Sequence, residues 1–192
     1  MSRITIGALH GWSMHNGLFR DLIDALPETD WHGIDLPGHG LTGATPKEDY
    51  SNIAMANFAR EVIELYNFRS VTLAGNSMGG AVALRYALMY PRETDALVLV
   101  SSGGMGRDKD DGGVGAFSLV GSGIALRLMR YFTPRFLIAS TLKGVVADPD
   151  NFVTDEMVTR YWELLRMAGS RDASIKRFSE ADLEPSLEPL LR

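Results

Sequence analysis

The sequence predicts an α/β protein: a doubly wound, mostly parallel sheet followed by a helical lid. Three observations predict it. Four short runs rich in Ile, Val and Leu alternate with helix-length amphipathic stretches, the pattern of βαβ units. The run "ALVLV" lacks polar alternation, as in a strand with helices over both faces. After Gly103 the strand pattern stops and only helical periodicity follows.

The elements follow in order. "ITIGAL" (Ile4 to Leu9) is the first strand. "GLFRDLIDAL" is a helix with Leu18, Leu22, Ile23 and Leu26 on its apolar face. Pro27 ends it. "WHGIDL" (Trp31 to Leu36) is the second strand, closed by Pro37. "NIAMANFAREVIELY" is a helix burying Ile53, Ala56, Ala59, Ile63 and Tyr66. "VTLAG" (Val71 to Gly75) is the third strand, "MGGAVALRYALMY" a helix ending before Pro91, and "ALVLVSS" (Ala96 to Ser102) the fourth strand.

From Gly103 a glycine-rich, charged stretch reads as loop. Helices are expected over Ala116 to Tyr131, Pro134 to Leu142 and Thr154 to Met167, with a weaker one from Ala173. In the third, Thr154 caps the start, and Met157, Tyr161, Leu164 and Leu165 share a face. The division that results is residues 1–102 as sheet-bearing core, 103–178 as lid, and 179–192 as the start of a return to the core.

Composition narrows the function. With 45% hydrophobic and 22% charged residues and a net charge of -5, the chain is globular and has no surface built for polyanions, so nucleic acid is not an expected partner. The absence of cysteine rules out thiolate chemistry and disulfides. The N-terminal residues are too poor in apolar side chains for a secretory signal, and the uncharged run Gly112 to Leu126 is shorter than the roughly 20 residues that cross a bilayer. A cytoplasmic protein without a membrane partner is the expectation.

Chemistry enters at "LAGNSMGGA". A serine on a tight strand-to-helix turn needs small residues two before and two after it, here Gly75 and Gly79 around Ser77. Such a turn lifts the hydroxyl clear of the sheet and sets it at a helix amino end, where free amides and the dipole favour negative charge. In a chain with 20 glycines the pentapeptide alone recurs easily; the strand before it and the helix after it give it meaning. The bland alternative is a serine that merely caps its helix. "LHGW" ends the first strand, at the crevice where a parallel sheet reverses its winding. There the amides of Trp12 and Met78 are expected to face the oxygen of a tetrahedral intermediate, each such donor lowering a barrier by roughly 3 kcal/mol.

"LHGWSMH", "GIDLPGHGLT", "LAGNSMGGAVALRYALMYP" and "LVLVSSGG", in that order, resemble the α/β-hydrolase fold superfamily. The stretch "TDEMVTRYWELLRMAGSRDA" resembles small bacterial esterase-like members. The resemblance implies that Ser77 attacks a carbonyl carbon, that amides at Trp12 and Met78 form the oxyanion hole, and that a histidine oriented by an acid activates the serine. It also implies elbow and loop support from His10, Gly11, Gly75, Asn76 and Gly79.

The family order places acid and histidine after the serine. All four histidines here, His10, His15, His32 and His39, precede Ser77. His10 is read as support for the loop backbone, His39 as a turn residue after the second strand, and His15 and His32 as surface or helix-edge residues. A metal site from His32, Asp35 and His39 would need loop residues to converge, and neither metal nor cofactor is expected. The family's remaining acid and histidine loops follow two further strands. The expectation is a truncated sheet in the order the resemblance implies, second, first, third, fourth strand, with "ALVLV" as an exposed edge open to self-association. Extension by roughly 70 to 80 residues, two more strand and helix units, would complete it.

The function this predicts is a serine hydrolase acting on a small apolar carboxylic ester, inactive as this chain alone for want of a base. Apolar lid residues (Phe117, Leu119, Val120, Ile124, Leu128, Met129, Phe132 and Phe136) suggest the substrate's character, or form lid core. Carbon-carbon bond hydrolysis stays open on the same constellation. The alternative from another class is a hydrolase-fold protein without catalysis that binds a hydrophobic ligand under its lid.

Overall fold

The computed structural model describes residues 4–11, 14–105, 129–181 and 186–187. Strands β1 (Thr5–Leu9), β2 (Asp30–Ile34), β3 (Val71–Asn76) and β4 (Thr94–Val100) form one parallel sheet in the order β2-β1-β3-β4. Leu9 is level with Ile34 on one side and Gly75 on the other, and Gly75 with Leu99. The carboxyl ends of all four strands thus lie along one rim. The chain reverses its winding between β1 and β3, so the crevice of a doubly wound sheet opens there.

Alternation along the strands divides the core. Leu9, Val71 and Leu73 face α2 (Asn52–Leu65) and α3 (Met78–Met89), packing with Met55, Ala59, Ile63, Val82 and Tyr86. Ile6, Ala8 and Ala74 face the other way, onto Phe19, Ile23 and Trp31.

The segment after β1 departs from expectation. It is a 3-10 turn, Asn16–Phe19, followed by a short α1 (Arg20–Ala25). Winding at three residues per turn through Phe19 rotates the face away from a 3.6 period. Phe19 is buried instead, while Leu18, Leu22 and Leu26 are 40–45% exposed. In α2 the Ser51 hydroxyl caps the start by accepting from the Ala54 amide at 3.2 Å. Its buried stripe is Asn52, Met55, Ala56, Ala59 and Ile63, so the expected Ile53 and Tyr66 turn outward.

Strand ends also shift. β2 stops at Ile34 because Asp35 turns to bind amides on both sides of it. β4 starts two residues before Ala96 and ends at Val100, where Ser101 takes a positive φ of 45°. Its two faces are not both covered. β4 is an edge paired to β3 alone, and Val98, Leu99 and Val100 stay 40–49% exposed.

The later helices are α4 (Arg135–Gly144), an unexpected single turn α5 (Pro149–Phe152), α6 (Asp155–Leu165) and α7 (Ser170–Ala181). Thr154 caps α6 by accepting from the Met157 amide at 3.1 Å. On α6 it is Val158 and Leu165 that are buried; Met157, Tyr161 and Leu164 are half-buried. Arg135 bonds the Asp155 carbonyl at 2.9 Å and the Trp162 indole donates to the Thr133 carbonyl at 2.8 Å, locking α6 to the start of α4. Helix α7 begins three residues before Ala173 and docks on the core: Ala173 closes over Gly38, and the Arg177 guanidinium donates to the Asn52 carboxamide at 2.8 Å.

Residues 116–128 of the expected first lid helix, with Phe117, Leu119, Val120, Ile124 and Leu128, lie outside the described residues, as does most of 179–192; residues 129–131 are helical. Phe132 and Phe136 are not lid core: they are 71% and 72% exposed. Among the described residues no helix is long and apolar enough to cross a membrane.

Candidate active site

Ser77 is the single residue between β3 and α3, with φ 50° and ψ -113°. That backbone is strained for a residue with a Cβ, and it persists because its surroundings over-determine it. The Ser77 amide donates to the Val100 carbonyl at 3.0 Å. Its carbonyl accepts from Gly80 at 3.1 Å, Ala81 at 3.3 Å and Gly103 at 2.8 Å. Asn76 adds a side-chain bond to the Val100 carbonyl at 3.3 Å. The Ser77 side chain makes no capping bond to its helix, and the residue is exposed. A helix-capping serine is therefore not what the turn contains.

The glycines around it are required by contact. A Cβ on Gly75 would strike the Gly79 carbonyl, and one on Gly79 would strike the backbone oxygens of Leu9 and His10. Helix α3 thereby lies directly against the end of β1. The loop leaving β1 passes beside the serine: a Cβ on Gly11 would sit 3.4 Å from the Ser77 Cβ and 2.9 Å from the Asn76 carboxamide oxygen. Gly11, Gly75, Asn76, Ser77, Met78 and Gly79 are thus brought to one place. Met78 is buried as the first residue of α3, where helix amides lack an intrahelical acceptor. Trp12 lies outside the described residues.

His10 is fully buried. Its Nε2 accepts the Leu36 amide at 2.9 Å, so Nδ1 carries the proton and donates to the Gly11 carbonyl at 2.8 Å. Burial holds its pKa below the ordinary histidine range, with the Gly11 bond and Asp35 opposing. His39 is also buried, bonded through Nδ1 to the Pro37 carbonyl at 3.0 Å and beside the His10 ring at 5.6 Å. Burial, then His10, push it down to about 4. His15 folds over Gly17, whose amide it accepts at 3.0 Å. His32 lies 3.3 Å from the Asp30 carboxylate and packs on Tyr66 and Phe68. No histidine is hydrogen-bonded to Ser77 among the described residues.

Asp35 is the residue the sequence undervalued. One carboxylate oxygen accepts the Asn16 amide at 2.7 Å and the other the Leu41 amide at 2.8 Å, tying the loop after β1 to the loop after β2. Considered only as a metal ligand, it is committed to two amides, and His32 is engaged elsewhere. Among the described residues no group of three or more His, Asp or Glu side chains is placed to hold a metal. The available signal was an aspartate ahead of a Pro-Gly turn, where carboxylates commonly take up loop amides.

A protruding serine at the reversal point of a parallel sheet, beside the amino end of a helix, defines a class of hydrolytic α/β proteins. The family model described as alpha/beta hydrolase fold matches residues 8–139, and the chain belongs to that family. Sequence relatives include a serine hydrolase-like protein of Danio rerio, 35% identical over 99 residues, which are 50% of this chain and 30% of that one. An AB hydrolase superfamily protein of Bacillus subtilis is 35% identical over 97 residues, 49% of this chain and 36% of that one. The chain therefore matches about a third of the length of these relatives. Among solved structures, Cfl2 from Burkholderia cenocepacia superimposes with a TM-score of 0.80 at 22% identity, covering 99% of this chain and 67% of that one. A meta-cleavage product hydrolase from Pseudomonas fluorescens gives 0.76 at 20% identity, covering 96% and 65%. These structural likenesses speak to the fold.

Proposed function

We propose that this chain is the nucleophile-bearing portion of a serine hydrolase that cleaves a small, largely apolar carboxylic ester. Ser77 attacks the carbonyl carbon to form an acyl-enzyme, and the amides of Met78 and Trp12 receive the oxyanion, with helices α4 to α7 as the lid. The observation that carries the reading is the Ser77 turn: an exposed hydroxyl, free of capping duty, on a strained backbone pinned from β4 and α3. A hydroxyl needs a base to become a nucleophile. Each of the four histidines is engaged elsewhere or lies away from Ser77, so the base belongs to a part of the enzyme other than these residues.

The test is hydrolysis of p-nitrophenyl butyrate. The 192-residue chain alone turns it over hardly above background; carried in a longer polypeptide that supplies a histidine and an acid, it turns it over and loses that activity with Ser77→Ala. Robust turnover by the chain alone would overturn the assignment of the base. A second reading, a hydrolase fold that binds a hydrophobic ligand without chemistry, is favoured by that same lack of a histidine at Ser77. It predicts saturable binding unaffected by Ser77→Ala and no labelling by a serine-directed phosphonate in the longer polypeptide.

A further inference from the structure

A second cleft, of about 290 Å³, opens between the turn after β1 and the helices α5 and α6, and Ser77 is not part of its lining. Its volume is near the lower end for small-molecule sites. The feature that distinguishes it is His15. This side chain is more than nine-tenths buried, yet its ring borders the cleft. Because Nδ1 accepts the Gly17 amide, the neutral ring carries its proton on Nε2, and that N-H has no partner among the described residues. Without a protein acceptor and on a residue that lines the cleft, that N-H is available to a ligand oxygen.

The surroundings define what kind of oxygen. Arg20 of α1 and Arg160 of α6 line the same cleft. Each is paired within its own helix, Arg20 with Asp21 and Arg160 with Glu156, both at 3.6 Å. The carboxylate partners are 84% and 82% exposed, and surface pairs of this kind are weak, so they yield readily to a better acceptor. Tyr161, packed edge-on to the His15 ring at 5.2 Å, and Met157 supply apolar wall. A dianion would meet the nearby Asp21 and Glu156 charges, whereas a monoanion with an apolar body satisfies every surface.

We propose that this cleft binds a small organic carboxylate, its oxygens between the His15 Nε2-H and the guanidinium groups of Arg20 and Arg160, its apolar body against Tyr161 and Met157. The site is independent of the Ser77 chemistry.

Calorimetric titration of the chain with benzoate tests it, with benzamide and inorganic phosphate as comparison probes. Saturable benzoate binding is expected, with benzamide and phosphate each weaker by about tenfold or more, one charge-assisted hydrogen bond corresponding to that factor. Arg160→Gln and Arg20→Gln, both on exposed positions, should each weaken benzoate about tenfold. His15→Asn, which keeps an acceptor for the Gly17 amide, should weaken it likewise, and Ser77→Ala should leave it unchanged. Absence of saturable benzoate binding, equal affinity for benzamide, tighter binding of phosphate, or loss of binding in Ser77→Ala would each overturn the proposal. The last outcome would place benzoate at the serine and leave the hydrolase reading standing, so the two ideas fail separately.

Discussion

The imidazole of His10 accepts the amide proton of Leu36 at 2.9 Å, and with it joins the end of β2 to the loop that runs past Ser77. A ring held this way has one tautomer and no freedom to serve as a base. Nitrogen NMR should show His10 neutral, protonated at Nδ1, at pH 7. His10→Ala should cost about 2–5 kcal/mol in urea unfolding, since it opens a cavity and orphans a buried amide and a carbonyl. A protonated His10 at neutral pH would contradict the assignment.

Buried neutral histidines make the fold acid-sensitive. His39 titrates near 6.5 when unfolded and at about 4 when folded, burial being the main cause. Between those values the unfolded chain binds more protons, so the stability is complete above pH 6.5 and declines as pH falls toward 4. His39 alone should remove about 2 kcal/mol between roughly pH 7 and 5, and His10, shifted the same way, adds to it. His39→Gln should flatten the pH dependence of the urea midpoint in that window. An unchanged slope would show that His39 does not titrate as described.

Strain at the serine can be released. Ser77→Gly should raise stability by about 1 kcal/mol, the relief of positive φ exceeding the entropy glycine adds to the unfolded chain. Ser77→Ala keeps the strain and should leave the thermal midpoint close to its starting value. Equal midpoints for the two variants would mean the turn stores nothing.

Gly79→Ala tests the approach of α3 to β1. The added methyl lands on backbone oxygens of Leu9 and His10, which cannot swing away as a side chain can. A loss of more than about 3 kcal/mol is expected, with changed chemical shifts at Leu9 to Gly11. Gly80→Ala, whose methyl meets the Ser102 side chain at 2.5–2.7 Å and its Cα at 3.0 Å, should cost less than a clash with two backbone oxygens.

Asp35→Asn keeps the size of the side chain and replaces one carboxylate oxygen by a donor. One of the Asn16 and Leu41 amides then faces an NH2 group, and a loss of about 2 kcal/mol should follow. Hydrogen exchange at both amides reports the site directly, and unchanged protection would refute the bridge.

The strands, the turn at Ser77 and the crowding that demands Gly75 and Gly79 were readable because each rests on local pattern: apolar runs of strand length, small residues at fixed offsets, a helix amino end; the strand order came from the family resemblance. What escaped was set by tertiary context. Residues 16–19 wind as a 3-10 turn, so a run with good helical spacing buries Phe19 and leaves Leu18, Leu22 and Leu26 in solvent. An apolar strand with no alternation reads as covered on both faces, yet Val98, Leu99 and Val100 of the expected edge strand β4 stay exposed, which depends on neighbours and not on its own residues. Asp35 was weighed only as a metal ligand because its partners, Asn16 and Leu41, are joined to it only by the folded loops. The cleft at His15 is assembled from segments well over a hundred residues apart, and no spacing rule reaches across that distance.

The bond between Arg177 and Asn52, with Ala173 seated on Gly38, spans 125 positions of the chain. During synthesis the ribosome releases Gly38 and Asn52 long before their cover exists. The nascent polypeptide must carry an open socket until α7 has emerged, and that helix then acts as a latch over it.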